Sequence, residues 1–154
     1  MNGSPQLLND FLSDYSTVLR YMNDYIAEPI SQYHMTFDTF LIMHEIGASA
    51  QPLLLMDIAD RHHVSRSAIS RQISILLKYD YVYQVPNPAD RRQKSLLLTD
   101  HGQQIDTQLI EAIQAMFNHW IDTLGPQRIN TMLSLLDDFS RKIIAPAWDA
   151  KQAN

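Results

Sequence analysis

Residues 53–99 constrain the fold of this chain more than any other stretch, because the spacing of the apolar residues changes within it. Two short helical patterns, over residues 53–62 and 66–79, are separated by a brief connection around residues 63–64. Ser65 stands directly before the second pattern and is a residue type that commonly caps a helix at its N-terminus. Two short helices joined by a tight turn predict a helix-turn-helix.

The period typical of strands replaces the helical one after residue 80. Residues 81–85 are rich in aromatic and β-branched side chains, and residues 95–99 form a short apolar run. The residues between them, 86–94, first favour turns and then become basic. A hairpin with a cationic tip directly after a helix-turn-helix is a wing. The predicted fold class is therefore mainly α with a small β-hairpin, a winged helix-turn-helix.

Apolar residues at spacings of three and four predict two helices before this segment. The first follows Pro5, and Pro29 is expected to end it. The second spans residues 36–46, and Gly47 is expected to end it.

Two further helices are predicted after the wing. Thr99 or Asp100 caps a long helix that runs to about Leu124. Gly125 and Pro126 break it, and a proline suits the first position of the helix that follows. The apolar faces at the two ends of the chain are wider than one small winged domain can cover, so they must pack against something else.

The basic residues are concentrated in the winged segment, although the formal net charge of the chain is −5. Residues 61–94 hold seven Lys or Arg and two Asp, a net charge of +5, whereas the rest of the chain holds five basic and fifteen acidic residues. An acidic body with one basic segment suits a protein that presents a single face to a polyanion. Chance clustering on a solvated surface is the alternative interpretation of the charge alone.

Composition excludes several classes of function. The chain has no cysteine, which excludes disulfides, thiolate metal sites, cysteine nucleophiles and thiol-based redox sensing. No apolar run approaches the roughly 20 residues needed to cross a bilayer. Residues 1–10 lack the basic start and apolar block of a signal peptide. The chain is therefore expected to be a soluble cytoplasmic protein that does not act at a membrane.

A specific pattern runs through residues 54–102. It comprises Met56-Asp57-Ile58-Ala59, then Val64-Ser65-Arg66-Ser67-Ala68-Ile69-Ser70-Arg71, then Asp90-Arg91-Arg92 followed by Leu96, Leu98, Thr99 and Gly102. In this pattern the chain resembles the MarR family of bacterial transcription regulators, and its helices fit that family in number and order over nearly the whole length. Relatives often have glycine where this chain has His63 and Asp80, two residue types that tolerate a left-handed backbone.

The resemblance implies that the second helix lies in the major groove of DNA, where the base edges distinguish all four base pairs. Arg66 and Arg71 are the candidates for reading guanine, because one guanidinium can bond to both O6 and N7. Ser65, Ser67 and Ser70 are candidates for phosphates or base edges near the N-terminus of the helix. Capping or simple exposure is the alternative role of these serines.

In the wing, the resemblance implies that Arg92 enters the minor groove, where narrow A·T-rich stretches attract cations. It also implies that Asp90 braces this arginine or the wing backbone, and that Arg91 and Lys94 contact phosphates. The alternative is a hairpin tip that is merely solvated.

The resemblance assigns the helices in residues 1–35 and 125–154 to a homodimer interface. Residues 36–124 then form the winged helix-turn-helix part, with a long linking helix from about residue 100, and the whole chain is one integrated domain. A two-fold axis implies a pseudo-palindromic operator whose half-site centres lie roughly 34–36 Å apart. The expected interface residues are Leu7, Leu8, Phe11, Leu12, Ile129, Met132, Leu136, Phe139 and Ile143.

A small-molecule effector site is implied between the dimerisation helices and the DNA-binding part. The candidate lining residues are Tyr15, Tyr33, His34, Phe37, Phe40, Met43 and His44, with Trp120 as a further candidate. An aromatic crevice of this kind would suit a flat phenolic or other apolar ligand. The alternative is that these are core residues at helical spacing, and the ligand stays unassigned.

No metal, cofactor or catalytic function is predicted. No two of the six histidines have the i, i+4 spacing of a helical zinc site, and the chain contains no Gly-rich phosphate loop and no Gly-x-Ser-x-Gly element. The predicted function is that of a homodimeric, sequence-specific repressor that binds double-stranded DNA and is relieved by a small effector. The alternative is a winged-helix module that binds protein and not DNA.

Overall fold

The computed structural model describes residues 4–152 and is mainly helical. Its elements, in chain order, are α1 (Pro5–Asp14), a π-helical stretch (Tyr15–Leu19), α2 (Arg20–Ser31), α3 (Phe37–Ala48), β1 (Leu53–Leu54), α4 (Leu55–Arg61), α5 (Arg66–Lys78), β2 (Val82–Pro86), β3 (Lys94–Leu98), α6 (Asp100–Leu124), α7 (Pro126–Phe139), a second π-helical stretch (Ser140–Ile144) and α8 (Ala145–Gln152). The helix-turn-helix consists of α4 and α5, and the wing consists of β2, β3 and the turn between them.

The wing is part of a three-stranded antiparallel sheet of order β1-β3-β2, whereas the sequence predicts a two-stranded hairpin. Leu53 pairs with Leu96, and Leu54 pairs with Ser95. The prediction that a helix begins at residue 53 is therefore wrong, because β1 takes the first two positions and α4 begins at Leu55. The backbone groups at the free edge of β3 attract these residues into the sheet. Such a distant partner leaves no trace in the local apolar spacing.

Two predicted helix ends are also wrong. Pro29 lies inside α2, which continues to Ser31. The missing N–H of a proline is tolerated there, since it costs one hydrogen bond in the last turn while the next residue, Ile30, is completely buried. Gly47 lies inside α3, where a Cβ would come within 2.5 Å of Leu98 Cδ1. This glycine makes room for the sheet instead of ending the helix.

The hydrophobic core lies between α3, α5, the sheet and α6. Phe40 and Met43 from α3 share it with Ile69 and Ile73 from α5 and Leu96 from β3, and each of these side chains is at most 2% exposed. This core, to which Ile30 of α2 also belongs, fixes α5 against α3. None of the helices in residues 4–152 is long and apolar enough to span a membrane.

The start of α6 is locked to the end of the helix-turn-helix. Thr99 is the N-cap of α6: its hydroxyl oxygen accepts the N–H of Gly102 at 2.9 Å, and its own backbone N–H donates to the carbonyl of Tyr81 at 3.0 Å. A Cβ at Gly102 would lie 1.9 Å from the Tyr81 carbonyl oxygen. The Thr-x-x-Gly pattern is thus explained by a backbone contact that leaves no room for a side chain.

Candidate nucleic-acid interface

One face of α5 is buried and the opposite face is polar. Ser65 caps the helix as predicted, since its Oγ accepts the N–H of Ala68 at 3.2 Å. Ile69, Ile73 and Leu76 hold the buried face in the core. The predicted DNA-contacting residues are placed together at the N-terminus and on the solvent side of this helix: Ser65, Arg66, Ser67 and Arg71 are exposed and Ser70 is half-buried.

The connection before α5 contains a residue with a left-handed backbone. His63 has φ of 51°, and Asp80, at the other end of α5, has φ of 57°. Both values confirm that these two residues occupy the conformations for which glycine is usually chosen. The helix-turn-helix therefore keeps its tight turns although both of these positions carry side chains.

Some basic residues of the winged segment are neutralised by acidic partners and others are not. The Glu45 carboxylate of α3 accepts hydrogen bonds from Arg61 Nη1 and His62 Nε2, each at 2.7 Å. By contrast, within residues 4–152 neither Arg66 nor Arg71 forms an ion pair. Arg66 and Arg71 therefore remain available to an anionic partner.

A hydrogen bond to α3 fixes the orientation of α5 about its own axis. Gln72 is half-buried, and its side-chain carbonyl accepts a hydrogen bond from the hydroxyl of Thr39, a buried residue of α3. Gln72 is thereby turned toward α3, and Arg71 beside it is exposed to solvent.

The wing tip is a compact turn organised by Asp90. The Asp90 carboxylate accepts the backbone N–H of Arg92 at 3.0 Å, and the Asp90 carbonyl accepts the N–H of Gln93 at 3.0 Å. Of the two roles considered for Asp90, the structure shows the bracing of the wing backbone. Arg91, Arg92 and Lys94 are all exposed. None of these three forms an ion pair with another residue of the described chain.

Comparison with known proteins shows which family this segment is similar to. Residues 34–93 match the sequence model of the MarR family. Over these residues, which make up less than half of the chain, the chain is similar to the MarR family. An uncharacterized HTH-type transcriptional regulator from Staphylococcus aureus strain Mu50 is 28% identical over 103 residues, which cover 66% of this chain and 66% of that relative. The chain thus spans just under two thirds of the length of the curated relative that it matches.

Solved structures of MarR proteins share the fold over most of the chain. A MarR protein from Peptoclostridium difficile has a TM-score of 0.79 at 18% identity and covers 97% of both chains. A mutant MarR from E. coli complexed with operator DNA has a TM-score of 0.73 at 20% identity, covering 89% of this chain and 98% of that one. Staphylococcus aureus MarR in complex with salicylate and kanamycin has a TM-score of 0.72 at 18% identity, with 90% and 95% covered. These likenesses confirm the predicted fold class.

Outside the family-matched segment, the terminal helices form an open apolar groove of about 880 Å³. Its apolar lining residues are Phe11, Tyr15, Val18, Leu19, Met132, Leu135, Leu136 and Phe139. Ile129, which is predicted to lie in a dimer interface, is only 3% exposed, because it packs inside its own chain. Ile129 is therefore not part of the exposed apolar face, and its assignment to the dimer interface is wrong. Tyr15, Val18, Leu19 and Leu135 belong to the groove although they are absent from the predicted interface set. The sequence signal for them is helical spacing, from Phe11 for the first three and from Met132 for Leu135.

The predicted effector residues lie in several different environments. Phe40 and Met43 are 1% and 0% exposed and belong to the core. Tyr33 and Phe37 are half-buried and pack against that core. The remaining residues have separate partners: His34 stacks on Tyr79 with ring centroids 4.5 Å apart, His44 Nδ1 lies 3.0 Å from Asp106 Oδ1, Tyr15 lines the groove of the terminal helices, and Trp120 lies edge-to-face with Phe117. The core interpretation of this set holds for Phe40 and Met43.

Proposed function

We propose that this chain is a homodimeric transcriptional regulator that binds double-stranded DNA in a sequence-specific manner. One observation carries the proposal: within residues 4–152 the exposed basic residues of α5 and the wing form no ion pair, whereas Arg61 in the same segment is neutralised by Glu45. The E. coli MarR structure complexed with operator DNA, which has the same fold, supports it.

In the proposed complex, α5 enters the major groove. Arg66 and Arg71 contact guanine, and the three serines at positions 65, 67 and 70 contact phosphates or base edges. The wing reaches the neighbouring minor groove with Arg92, while Arg91 and Lys94 neutralise phosphates. The backbone bond from Arg92 to Asp90 holds the wing tip in one shape before DNA is bound.

Dimerisation is proposed to occur through the groove of the terminal helices. Phe11, Leu136 and Phe139 are each more than half exposed in the single chain, which is a large amount of apolar surface for a helix to leave in water. A second copy would cover this surface through the same face, as two-fold dimers do. Two copies of α5 would then bind half-sites of a pseudo-palindrome roughly 34–36 Å apart.

Repression relieved by a small effector completes the proposal. A cleft of about 460 Å³ lies between α2 and α6, and it is lined by Tyr25, Glu28, Pro29, Gln32, Ala112 and Met116. The similar S. aureus MarR was solved with salicylate, which supports a flat phenolic compound as the class of effector. Such a regulator acts in the cytoplasm, where the bacterial chromosome lies.

A gel-shift experiment with the DNA upstream of the protein's own gene tests this proposal. We expect a complex at low salt that excess unrelated duplex does not displace, and that salicylate weakens. Arg71→Ala should reduce the preference for the upstream DNA over the unrelated duplex, whereas Arg141→Ala, which changes a distant exposed arginine paired with Asp137, should retain it. If wild-type protein gives no complex at low salt, the protein-interaction alternative replaces DNA binding.

A further inference from the structure

The proposed DNA contacts do not explain why a residue with a side chain, His63, stands in the turn before α5. It occupies the turn between α4 and α5 with φ of 51°, a conformation that favours glycine over residues with side chains. The turn itself is closed by backbone hydrogen bonds, from the His63 N–H to the Asp60 carbonyl and from the Val64 N–H to the Ala59 carbonyl. Because glycine would make the same backbone bonds, the side chain needs a reason of its own.

That side chain contacts the last helix of the chain. The imidazole of His63 meets the indole of Trp148 edge-to-face, with ring centroids 5.7 Å apart and the ring planes at 60°. The Nδ1 atom of His63 is buried and has no hydrogen-bond partner within residues 4–152. Within residues 4–152 the ring therefore packs against Trp148 without a hydrogen bond through Nδ1. Edge-to-face contacts of this kind add to stability beyond the area that they bury.

The contact connects two distant parts of the fold. Trp148 lies in α8, at the far end of the helical stretch that begins with α7 and carries Leu136 and Phe139 of the apolar groove. His63 lies directly before the N-terminus of α5. The groove and the recognition helix are thus linked through α8, in addition to the link through α6.

We propose that the His63–Trp148 contact is a positioning contact that fixes the angle of the recognition helix relative to the terminal helices, and thereby the spacing of the half-sites that the dimer accepts. The inference rests on the proposed function, because it needs a dimer bound to DNA. His63 and Trp148 are positioning residues in this account, since neither has to touch a base.

The chain offers a matched control for the His63→Gly variant. Asp80 has nearly the same left-handed backbone, with φ of 57°, but its side chain forms no hydrogen bond or ion pair with another residue in the described part of the chain. His63→Gly and Asp80→Gly therefore relieve the same kind of backbone strain, and only the first removes a side-chain contact. Trp148→Ala removes the other half of the contact, whereas Trp148→Phe keeps an aromatic edge.

The test measures binding to duplexes in which the half-site spacing is varied by one base pair. The half-site sequence is first selected from random DNA with wild-type protein. We expect wild type, Asp80→Gly and Trp148→Phe to prefer one spacing at least tenfold over its neighbours. His63→Gly and Trp148→Ala should reduce that preference at least threefold, and the double variant should reduce it no further than either single variant. A structural role that merely stabilised the fold would lower affinity equally at every spacing.

Two contrary results are distinguishable. If wild type selects no DNA, the proposed function and this inference both fail. If wild type binds with a preferred spacing, and His63→Gly and Trp148→Ala keep that preference, only the inference is overturned. The fluorescence of Trp148 in a Trp120→Phe background verifies the contact itself: its emission maximum should shift with His63→Gly and stay unchanged with Asp80→Gly.

Discussion

The winged helix-turn-helix part (residues 36–124) and the terminal helices differ in which of their side chains are buried and which are exposed. In the winged helix-turn-helix part, large apolar side chains such as Phe40 and Ile69 are fully buried, and the exposed cations of α5 and the wing form no ion pair within residues 4–152. In the terminal helices, Leu7 and Leu136 are 67% and 58% exposed, and cations such as Arg141 and Lys142 pair with acidic residues one turn away. The first region buries its apolar side chains and offers charge to a partner. The second offers apolar surface, so its partner must be apolar too.

Disrupting the contact between the start of α6 and the backbone of Tyr81 should have the largest effect, and this effect is on stability. We expect Gly102→Ala to lower the free energy of unfolding by about 4 kcal/mol, because its Cβ would overlap the backbone carbonyl of Tyr81 and neither backbone can yield. Urea unfolding followed by circular dichroism measures this difference. Gly47→Ala is the control, since its Cβ would meet side-chain atoms and no backbone, the nearest being Cδ1 at the end of the flexible Leu98 side chain, and it should change stability by less than about 1 kcal/mol. Equal losses of stability in the two variants would mean that the backbones of Gly102 and Tyr81 are not in tight contact.

A charge in the apolar groove should weaken dimerisation while the helices stay folded. Phe139→Asp places a carboxylate in the surface that a second copy is proposed to cover, so we expect the dimer dissociation constant to rise about 100-fold. Sedimentation velocity gives the constant, and circular dichroism should show that the helices persist. Met56→Asp changes an exposed apolar residue of α4 and should leave the protein dimeric. A Phe139→Asp protein that remained dimeric would place the interface elsewhere.

Arg61 and Arg71 of the helix-turn-helix should differ in their effect on DNA binding although they carry the same charge. Arg71→Ala should weaken operator binding about tenfold to thirtyfold and relax the base preference at one position in each half-site. Arg61→Ala should leave the base preference unchanged, because this side chain is paired with Glu45. Selection from random DNA with each variant measures the preference. An identical selected motif for wild type and Arg71→Ala would show that Arg71 does not read a base.

The features that the sequence predicts correctly are those whose cause is local. Ser65 and Thr99 cap the helices that follow them, and Gly125 ends α6 with φ of 84°, because each of these effects involves only neighbours along the chain. The wrong predictions concern residues whose contact partners are distant in sequence. The strand at residues 53–54 exists because β3 pairs with it, and Ile129 is buried by contacts that its own helical pattern does not reveal.

The same division applies to the candidate site. The basic residues of α5 and the wing could be identified from composition and spacing. Their freedom from acidic partners could not, since Arg61 belongs to the same basic segment and is neutralised by Glu45, sixteen residues earlier. The bond from Thr39 to Gln72, which orients α5, likewise joins two helices and has no sequence signal.

The salt dependence of DNA binding tests most directly whether the unpaired cations of the winged segment, and not the charge of the whole chain, bind DNA. Two triple variants carry the same change in net charge: Arg91, Arg92 and Lys94 to Ala in the wing, and Arg20, Arg141 and Lys142 to Ala in the terminal helices. The account predicts that the slope of log Kd against log salt falls by about two to three per wing for the first variant and stays at the wild-type value for the second. Equal slopes for the two variants would contradict it.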